Sequence, residues 1–198
     1  MLKEKLKNYN IILASGSPRR QQFFEELDIN FTIDVREVEE VYPAQIGDGA
    51  KITDYLAQLK ASAFKDLSER DIVITSDTIV WKDGKALGKP LDKEDATQML
   101  QNLSGSVHEV ITSVCFTNKH FQKTINDTTK VWFKTLTEEE IAYYLNTYQP
   151  YDKAGSYGVQ EWIGYIGIDR LEGSYFNVMG LPTRLVYKTL LEIAARPF

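Results

Sequence analysis

The sequence predicts an α/β protein in which a mixed β-sheet is flanked by helices. Apolar strand-like runs alternate with amphipathic segments in the first half of the chain, a pattern typical of parallel strands joined by helices. Longer strand-like runs separated by short turn signals follow, which indicates hairpins and therefore antiparallel pairing. A chain of 198 residues with no repeat, low-complexity stretch or linker predicts a single domain over residues 1–198.

Helices are predicted where apolar residues recur at helical spacing after a capping residue. Ser17 and Pro18 suit the first two positions of one helix, and Asp92 precedes another that has acidic residues in its first turn. Thr137 and Glu140 have the spacing of a capping box. The five predicted helices cover residues 18–27, 53–67, 92–103, 137–147 and 183–195.

Strands are predicted at runs rich in β-branched and aromatic residues bounded by turn residues. They cover residues 10–14, 31–35, 72–76, 78–82, 107–116 and 121–134, with another in "GYIGIDRL" and a tight turn at "KDGK". Cys115 falls in the apolar run "VITSVCF" and is interpreted as a buried strand residue. His108, at the start of that strand, is interpreted as a structural hydrogen-bonding residue.

Composition restricts the partners and the metals that the chain can bind. A formal net charge of −5, without lysine or arginine runs, argues against nucleic acid as the main partner. The first 15 residues contain only four consecutive apolar residues, too few for a signal peptide or a membrane span, so a cytoplasmic protein is expected. Two histidines and one cysteine cannot build a structural zinc site, which leaves a hard cation such as Mg²⁺ or Mn²⁺.

The segment "SGSPRR" breaks a local rule, because Arg19 and Arg20 lie in the first turn of a helix, where the helix dipole disfavours positive charge. A strand, a turn of small residues and a helix N-terminus form a ready anion site, which two guanidinium groups would strengthen for phosphate. The alternative is that both arginines pair with Glu25, Glu26 or other surface acids.

Asp77 interrupts the apolar run "DIVITSDTIVW", where an unpaired carboxylate would be costly to bury. It is interpreted either as a metal ligand or general base at a strand end, or as a turn aspartate that bonds its own backbone. Lys60 lies at the edge of an apolar helix face and Lys89 lies in the loop "LGKPLD". For each lysine taken singly, a solvated surface side chain is the simpler interpretation.

The segment "YDKAGSYGVQEW" mixes Asp152, Lys153 and Gln160 with small residues and tyrosines. Such a stretch can line a ligand pocket with backbone and amide groups, or form an ordinary surface loop packed by its own aromatic residues.

Six segments in the same order resemble the Maf family of nucleoside triphosphate pyrophosphatases from residue 11 to about residue 185. They are "ILASGSPRRQQFFEEL", "SDTIV", "LGKPLDKEDATQML", "LSGSVHEVITSV", "YDKAGSYGVQ" and "GSYFNVMGLPTRL". The resemblance implies an elongated mixed sheet flanked by helices, similar to inosine triphosphatases, with a cleft for a nucleotide. It also implies Mg²⁺- or Mn²⁺-dependent cleavage between the α and β phosphates, and a possible homodimer.

The same resemblance implies roles for individual residues. Asp77 would be the general base, and Lys60 and Lys89 would contact the triphosphate. Phosphate binding is implied for Ser15, Ser17 and Arg20. The metal would be held by Asp77 with Glu39 or Glu40, two positions between which the sequence does not decide.

The threonine after Asp77 and the glutamine in "DKAGSYGVQ" resemble the branch of the family that acts on dTTP and UTP, in which Arg19, Thr78 and Gln160 would read the base. The chain departs from the family pattern at Ser106, Tyr148 and Glu161, the last of which stands where glycine is usual. Two other functions are considered: a non-catalytic nucleotide sensor that controls a cell-division partner, and a house-cleaning pyrophosphatase for modified purine nucleotides.

Overall fold

The computed structural model describes residues 1–195, which form eight α-helices and a seven-stranded mixed sheet. Helices α1 to α8 span Leu2–Leu6, Pro18–Glu26, Gly49–Ala61, Lys93–Leu103, Glu138–Tyr148, Trp162–Gly167, Tyr175–Val178 and Thr183–Ala194. Strands β1 to β7 span Asn10–Leu13, Thr32–Ile33, Asp71–Lys82, Lys85–Leu87, Val107–Thr117, Gln122–Phe133 and Ile168–Glu172. Two short 3-10 helices cover Ala44–Ile46 and Ala154–Ser156.

The strand order in the sheet is β2-β1-β3-β5-β6-β7, and β4 pairs with β3 outside this path. Strand β1 runs parallel to β2 and β3, whereas β3 is antiparallel to β4 and β6 is antiparallel to β7. The predicted fold class, a mixed sheet with flanking helices, is therefore confirmed. The turn predicted at "KDGK" joins β3 to β4, and both central residues, Asp83 and Gly84, have the positive φ that a tight two-residue hairpin requires.

The chain divides into two compact units. Unit 1 comprises Met1–Asp77, Thr112–Asp127 and the described residues from Gly180 onward, and unit 2 comprises Thr78–Ile111 and Thr128–Met179. In unit 1, the fully buried Cys115 packs with the apolar face of α3, as predicted for a strand residue. The core of unit 2 is formed by residues of β3, β5, β6, α4, α5 and α6, among them Val80, Leu100, Val110, Phe133, Tyr144 and Ile163. The prediction of one domain over residues 1–198 stays a prediction, and residues 196–198 lie outside the described part.

Several predicted element boundaries were wrong. The strands predicted at 72–76 and 78–82 are one strand, β3, which continues through Asp77. The helix predicted at 53–67 is α3, which starts earlier because the side chain of Asp48 accepts a hydrogen bond from the Lys51 N–H. The strand predicted at 31–35 is reduced to Thr32–Ile33, and the first half of "GYIGIDRL" is helical.

The predicted helix starts are confirmed where side chains cap them. Thr137 and Glu140 form both hydrogen bonds of a capping box at α5, and Asp92 caps α4. Ser17 is the N-cap of α2, but its side chain makes no capping hydrogen bond. Among residues 1–195, no helix combines the length and the apolar character needed to span a membrane.

Candidate functional site

The parallel pairing of β1 with β3 brings the "SGSPRR" turn beside Asp77. Leu13, the last residue of β1, lies opposite Ile74 of β3, and the Ala14 N–H donates to the Ile74 carbonyl. Residues 14–17 then turn into α2, while β3 continues past Ile74 toward Asp77. All of these residues belong to unit 1.

Arg20 is fixed by backbone carbonyls on this side of the sheet. Its Nε donates to the Gly180 carbonyl at 2.8 Å, and its Nη1 donates to the Ser76 carbonyl at 3.1 Å. The same Nη1 lies 3.4 Å from the hydroxyl of Ser15, which is buried and also accepts the Ser17 N–H at 3.3 Å. These contacts hold the guanidinium against the backbone next to Asp77, and the anion-site interpretation of Arg20 stays a prediction.

Asp77 is paired with Lys60, which also contacts Glu40. The Lys60 Nζ lies 2.7 Å from Asp77 Oδ1 and 3.1 Å from Glu40 Oε2. The Asp77 side chain is 9% exposed and that of Lys60 is 19% exposed, whereas Glu40 is half exposed. Because Asp77 lies inside β3 and not in a turn, the interpretation of Asp77 as a turn aspartate was wrong.

Burial changes the pKa of both Asp77 and Arg20. It raises the pKa of Asp77 above its ordinary value, although the positive charges of Lys60 and Arg20 oppose the change. Burial lowers the pKa of Arg20 to about 10, and the charge of Asp77 opposes that change. A carboxylate whose pKa is raised above its ordinary value is better suited to accept a proton than an ordinary aspartate.

The cluster fits a hard divalent cation. Carboxylate oxygens of Asp77 and Glu40 both lie within hydrogen-bonding distance of one cationic atom, the Lys60 Nζ, so both reach the same small volume. Within the described range 1–195, no three histidine, cysteine or acidic side chains converge. Mg²⁺ commonly takes one or two protein carboxylates and completes its shell with water and substrate phosphates, so two carboxylates suffice. Of the two glutamates left open by the sequence, both of which are exposed, Glu40 makes the contact with Lys60.

The remaining predicted site residues lie elsewhere in their units. Arg19 is half-buried in the first turn of α2 in unit 1. In unit 2, Thr78 is half-buried in β3, Lys89 is exposed in the loop after β4, and Gln160 is half-buried in the turn before α6.

His108 has the structural role that the sequence predicted. It is buried in unit 2, and its Nε2 lies 2.7 Å from the Tyr157 hydroxyl.

Two features beside predicted site residues were not predicted, one in each unit. The carbonyls of Ser76 and Gly180 orient Arg20, but a carbonyl acceptor carries no side-chain signal in a sequence. In unit 2, the buried Tyr144 contacts Glu161 beside Gln160. The available signal was Glu161 itself, since an acidic residue replaces the glycine usual at that position.

A family model described as "Maf-like protein" matches residues 10–193. The chain belongs to the Maf family. The predicted family is thus confirmed over nearly the whole length of the chain.

Relatives of this Maf chain extend over its full length. It is 58% identical over 194 residues to the dTTP/UTP pyrophosphatase of Christiangramia forsetii, covering 98% of each chain. It is 57% identical to the dTTP/UTP pyrophosphatase of Flavobacterium johnsoniae over 96% of this chain and 98% of the relative. It is 47% identical to the dTTP/UTP pyrophosphatase of Bacteroides fragilis over 95% of this chain and 98% of the relative.

Among solved structures, the Ham1 protein of Staphylococcus aureus has a similar fold. The TM-score is 0.52 at 15% sequence identity, and the match covers 93% of the Maf chain and 99% of the other. At this identity the similarity concerns the fold alone.

Proposed function

We propose that this Maf chain is a nucleoside triphosphate pyrophosphatase that hydrolyses dTTP and UTP to the monophosphate and pyrophosphate. The observation that carries the proposal is the buried carboxylate of Asp77, paired with Lys60 and flanked by the ordered guanidinium of Arg20. Full-length relatives with 47–58% identity that bear the name dTTP/UTP pyrophosphatase support the choice of substrate.

The residues of unit 1 are suited to polyphosphate hydrolysis by charge neutralisation and water activation. Ser15, Ser17 and Arg20 bind phosphate oxygens, and Lys60 neutralises a further negative charge. Asp77 accepts a proton from a water molecule as the water oxygen bonds to the α-phosphorus. The bond from that phosphorus to the bridging oxygen breaks, and pyrophosphate leaves with the electron pair. Such reactions depend mainly on placed charges and not on a covalent nucleophile.

Asp77 and Glu40 are the residues that would hold Mg²⁺ or Mn²⁺. The cation, when bound, neutralises phosphate charge and polarises a bound water. Asp77 can serve both as metal ligand and as proton acceptor, because both roles need the same ionised carboxylate. Glu40 is preferred to Glu39 because it shares the contact with Lys60.

Base choice is assigned to Gln160 and Thr78, with Arg19 assisting, and Lys89 is assigned to the triphosphate. An amide such as that of Gln160 can donate to one edge atom of a pyrimidine and accept from its neighbour. A site that pairs with such groups rejects bases that leave its own polar groups unpaired. A cytoplasmic location, a homodimer and the absence of a nucleic acid partner stay predictions.

A panel of triphosphates tests the proposed function. The purified protein is incubated with Mg²⁺ and with dTTP, UTP, CTP, GTP, inosine triphosphate or 7-methyl-GTP, and pyrophosphate and orthophosphate are measured separately. We expect pyrophosphate and a monophosphate from dTTP and UTP, and loss of activity in a chelator. Orthophosphate with a diphosphate product would contradict the mechanism. Nucleotide binding without turnover would favour the sensor, and a preference for inosine triphosphate would favour the house-cleaning alternative.

A further inference from the structure

Gln160 is the third residue of a closed four-residue turn in unit 2. The turn runs from Gly158 to Glu161, and the Glu161 N–H donates to the Gly158 carbonyl at 3.0 Å. Glu161 is also the N-cap of α6, where its carbonyl accepts the Gly164 N–H at 2.8 Å. The backbone of Gln160 therefore lies between a hydrogen-bonded turn and the start of a helix.

One hydroxyl group holds both ends of this turn. The Tyr144 hydroxyl accepts the Gly158 N–H at 3.0 Å and donates to Oε2 of Glu161. Tyr144 is fully buried in α5 and stacks on Tyr148 with 5.2 Å between ring centroids. A hydroxyl on a packed helix is a fixed point, so the first and last residues of the turn are tied to α5.

The second carboxylate oxygen of Glu161 is paired as well. Oε1 lies 3.1 Å from the Lys153 Nζ, and the two side chains are 18% and 11% exposed. Lys153 also contacts Asp152 at 2.7 Å. Lys153 therefore compensates the largely buried charge of Glu161 and is itself also paired with Asp152, so the ion pair favours one position of the Glu161 carboxylate.

Two glycines let the turn pack tightly against these groups. A Cβ at Gly158 would lie 2.8 Å from the carboxyl carbon of Glu161, and one at Gly164 would lie 1.9 Å from the Val159 carbonyl oxygen. Both distances are far below ordinary contact. Neither position therefore accepts a side chain without a shift of the carboxylate or of the backbone.

We infer that Glu161 is a positioning residue: with Tyr144 and Lys153 it fixes the turn that carries Gln160 and thereby sets the selectivity for the base. This inference rests on the proposed function, in which Gln160 reads the base. The glycine that the family usually has at this position could make none of the side-chain contacts of Glu161. The turn that carries Gln160 in this chain is held by a buried charge network and not by backbone contacts alone.

Substrate ratios in single and double variants test the inference. We expect Glu161→Ala and Tyr144→Phe each to lower the ratio of kcat/KM for dTTP over GTP by about tenfold or more, since displacements near 1 Å can cost up to about 10²-fold. Glu161→Gln, which keeps an acceptor for Tyr144, should retain more of the ratio than Glu161→Ala. In a Gln160→Ala background, Glu161→Ala should change the ratio by less than about twofold, because both substitutions remove the same discrimination.

Amide hydrogen exchange gives a readout that does not depend on turnover. Exchange of the amides from 153 to 161 should be faster in Tyr144→Phe than in the unaltered protein, and unchanged in the control Glu139→Ala, an exposed glutamate on the same helix as Tyr144. Unaltered protein that fails to hydrolyse dTTP and UTP would overturn the proposed function and this inference with it. Normal hydrolysis with unchanged ratios in Tyr144→Phe and Glu161→Ala, even with a lowered melting temperature, would overturn the positioning role alone.

Discussion

Asp77 combines burial, a strand position and a salt bridge. A buried carboxylate without a partner would destabilise the fold. In the structure, Asp77 pairs with Lys60 at 2.7 Å, and Arg20 lies beside it. Burial raises the pKa of Asp77 and the two cations oppose this, so small changes in its surroundings will alter its basicity. This residue therefore gives the sharpest test of the proposed chemistry.

Asp77→Asn should lower pyrophosphate release by about 10²–10⁴-fold, because an amide of the same shape cannot accept the proton. The fold should persist, since the asparagine carbonyl can still accept a hydrogen bond from Lys60. Initial rates with dTTP and circular dichroism spectra measure both effects. Asp66→Asn, at an exposed loop position, is the matched control and should be unaffected. Near-normal turnover in Asp77→Asn would refute the assigned role.

The sequence predicted charged residues that break a local rule of secondary structure. It did not predict the contacts that orient them. Arg20 and Asp77 were selected because each breaks a local rule, and they lie side by side. The choice between Glu39 and Glu40 could not be made, because it depends on how a loop with little regular structure approaches Lys60. Tyr144 was missed because it lies 17 residues from its partner Glu161.

At the scale of elements, local capping signals predicted helix starts well, and strand continuity was predicted poorly. The capping box of α5 needs only residues three positions apart, so Thr137 and Glu140 suffice to predict it. The continuity of β3 through Asp77 depends on a lysine from α3, which periodicity along the strand cannot show. The short turn of Ala154–Ser156 likewise depends on a neighbour, Val80 of β3, in the same unit.

Gly155→Ala should lower the free energy of unfolding by about 1–3 kcal/mol, because the residue has φ +67° and its Cβ would lie 2.7 Å from Cγ2 of Val80. Urea unfolding followed by fluorescence measures the change. Gly88→Ala is the matched control in the same unit, since its Cβ would meet nothing within 4 Å and its φ is not positive. Equal free energies of unfolding for the two variants would contradict this prediction, because the Ala154–Ser156 segment would then accept a Cβ at position 155 without loss of stability.

For the whole molecule, the class of sheet was predictable, and its division into two units was not. Strands that alternate with helices, followed by hairpins, indicate a mixed sheet even when the bounds of single elements are wrong. Three of the four unit boundaries fall inside β3, β5 and β6, where no glycine or proline cluster marks them, and the fourth lies between Met179 and Gly180. His108 lies in unit 2, and its buried ring affects the stability of the folded chain.

The stability of the protein should fall as the pH drops below about 6.5. Burial lowers the pKa of His108 from 6.5 to about 3, and the positive charge of Lys82 adds to the effect. Between these values the unfolded chain binds a proton that the folded chain does not. The free energy of unfolding therefore loses up to about 1.4 kcal/mol per pH unit from this residue.

Urea unfolding at pH 7.5 and 5.5 measures this dependence. His108→Gln, whose amide can still bond the Tyr157 hydroxyl, lacks the titrating ring and should lose less stability between the two pH values than the unaltered protein. If both proteins lose the same free energy of unfolding between these pH values, His108 does not cause the loss of stability at low pH.

The order of the units along the chain has a consequence for biosynthesis. Helix α1 begins the chain and packs with α8, where the Tyr9 hydroxyl reaches the Ile193 carbonyl at 3.4 Å. Every residue of unit 2 precedes α8. A ribosome therefore delivers all of unit 2 after α1 and before α8, so α1 is made well before the helix that covers it. Leu2 and Leu6, both buried in the finished fold, stay exposed to chaperones throughout that interval.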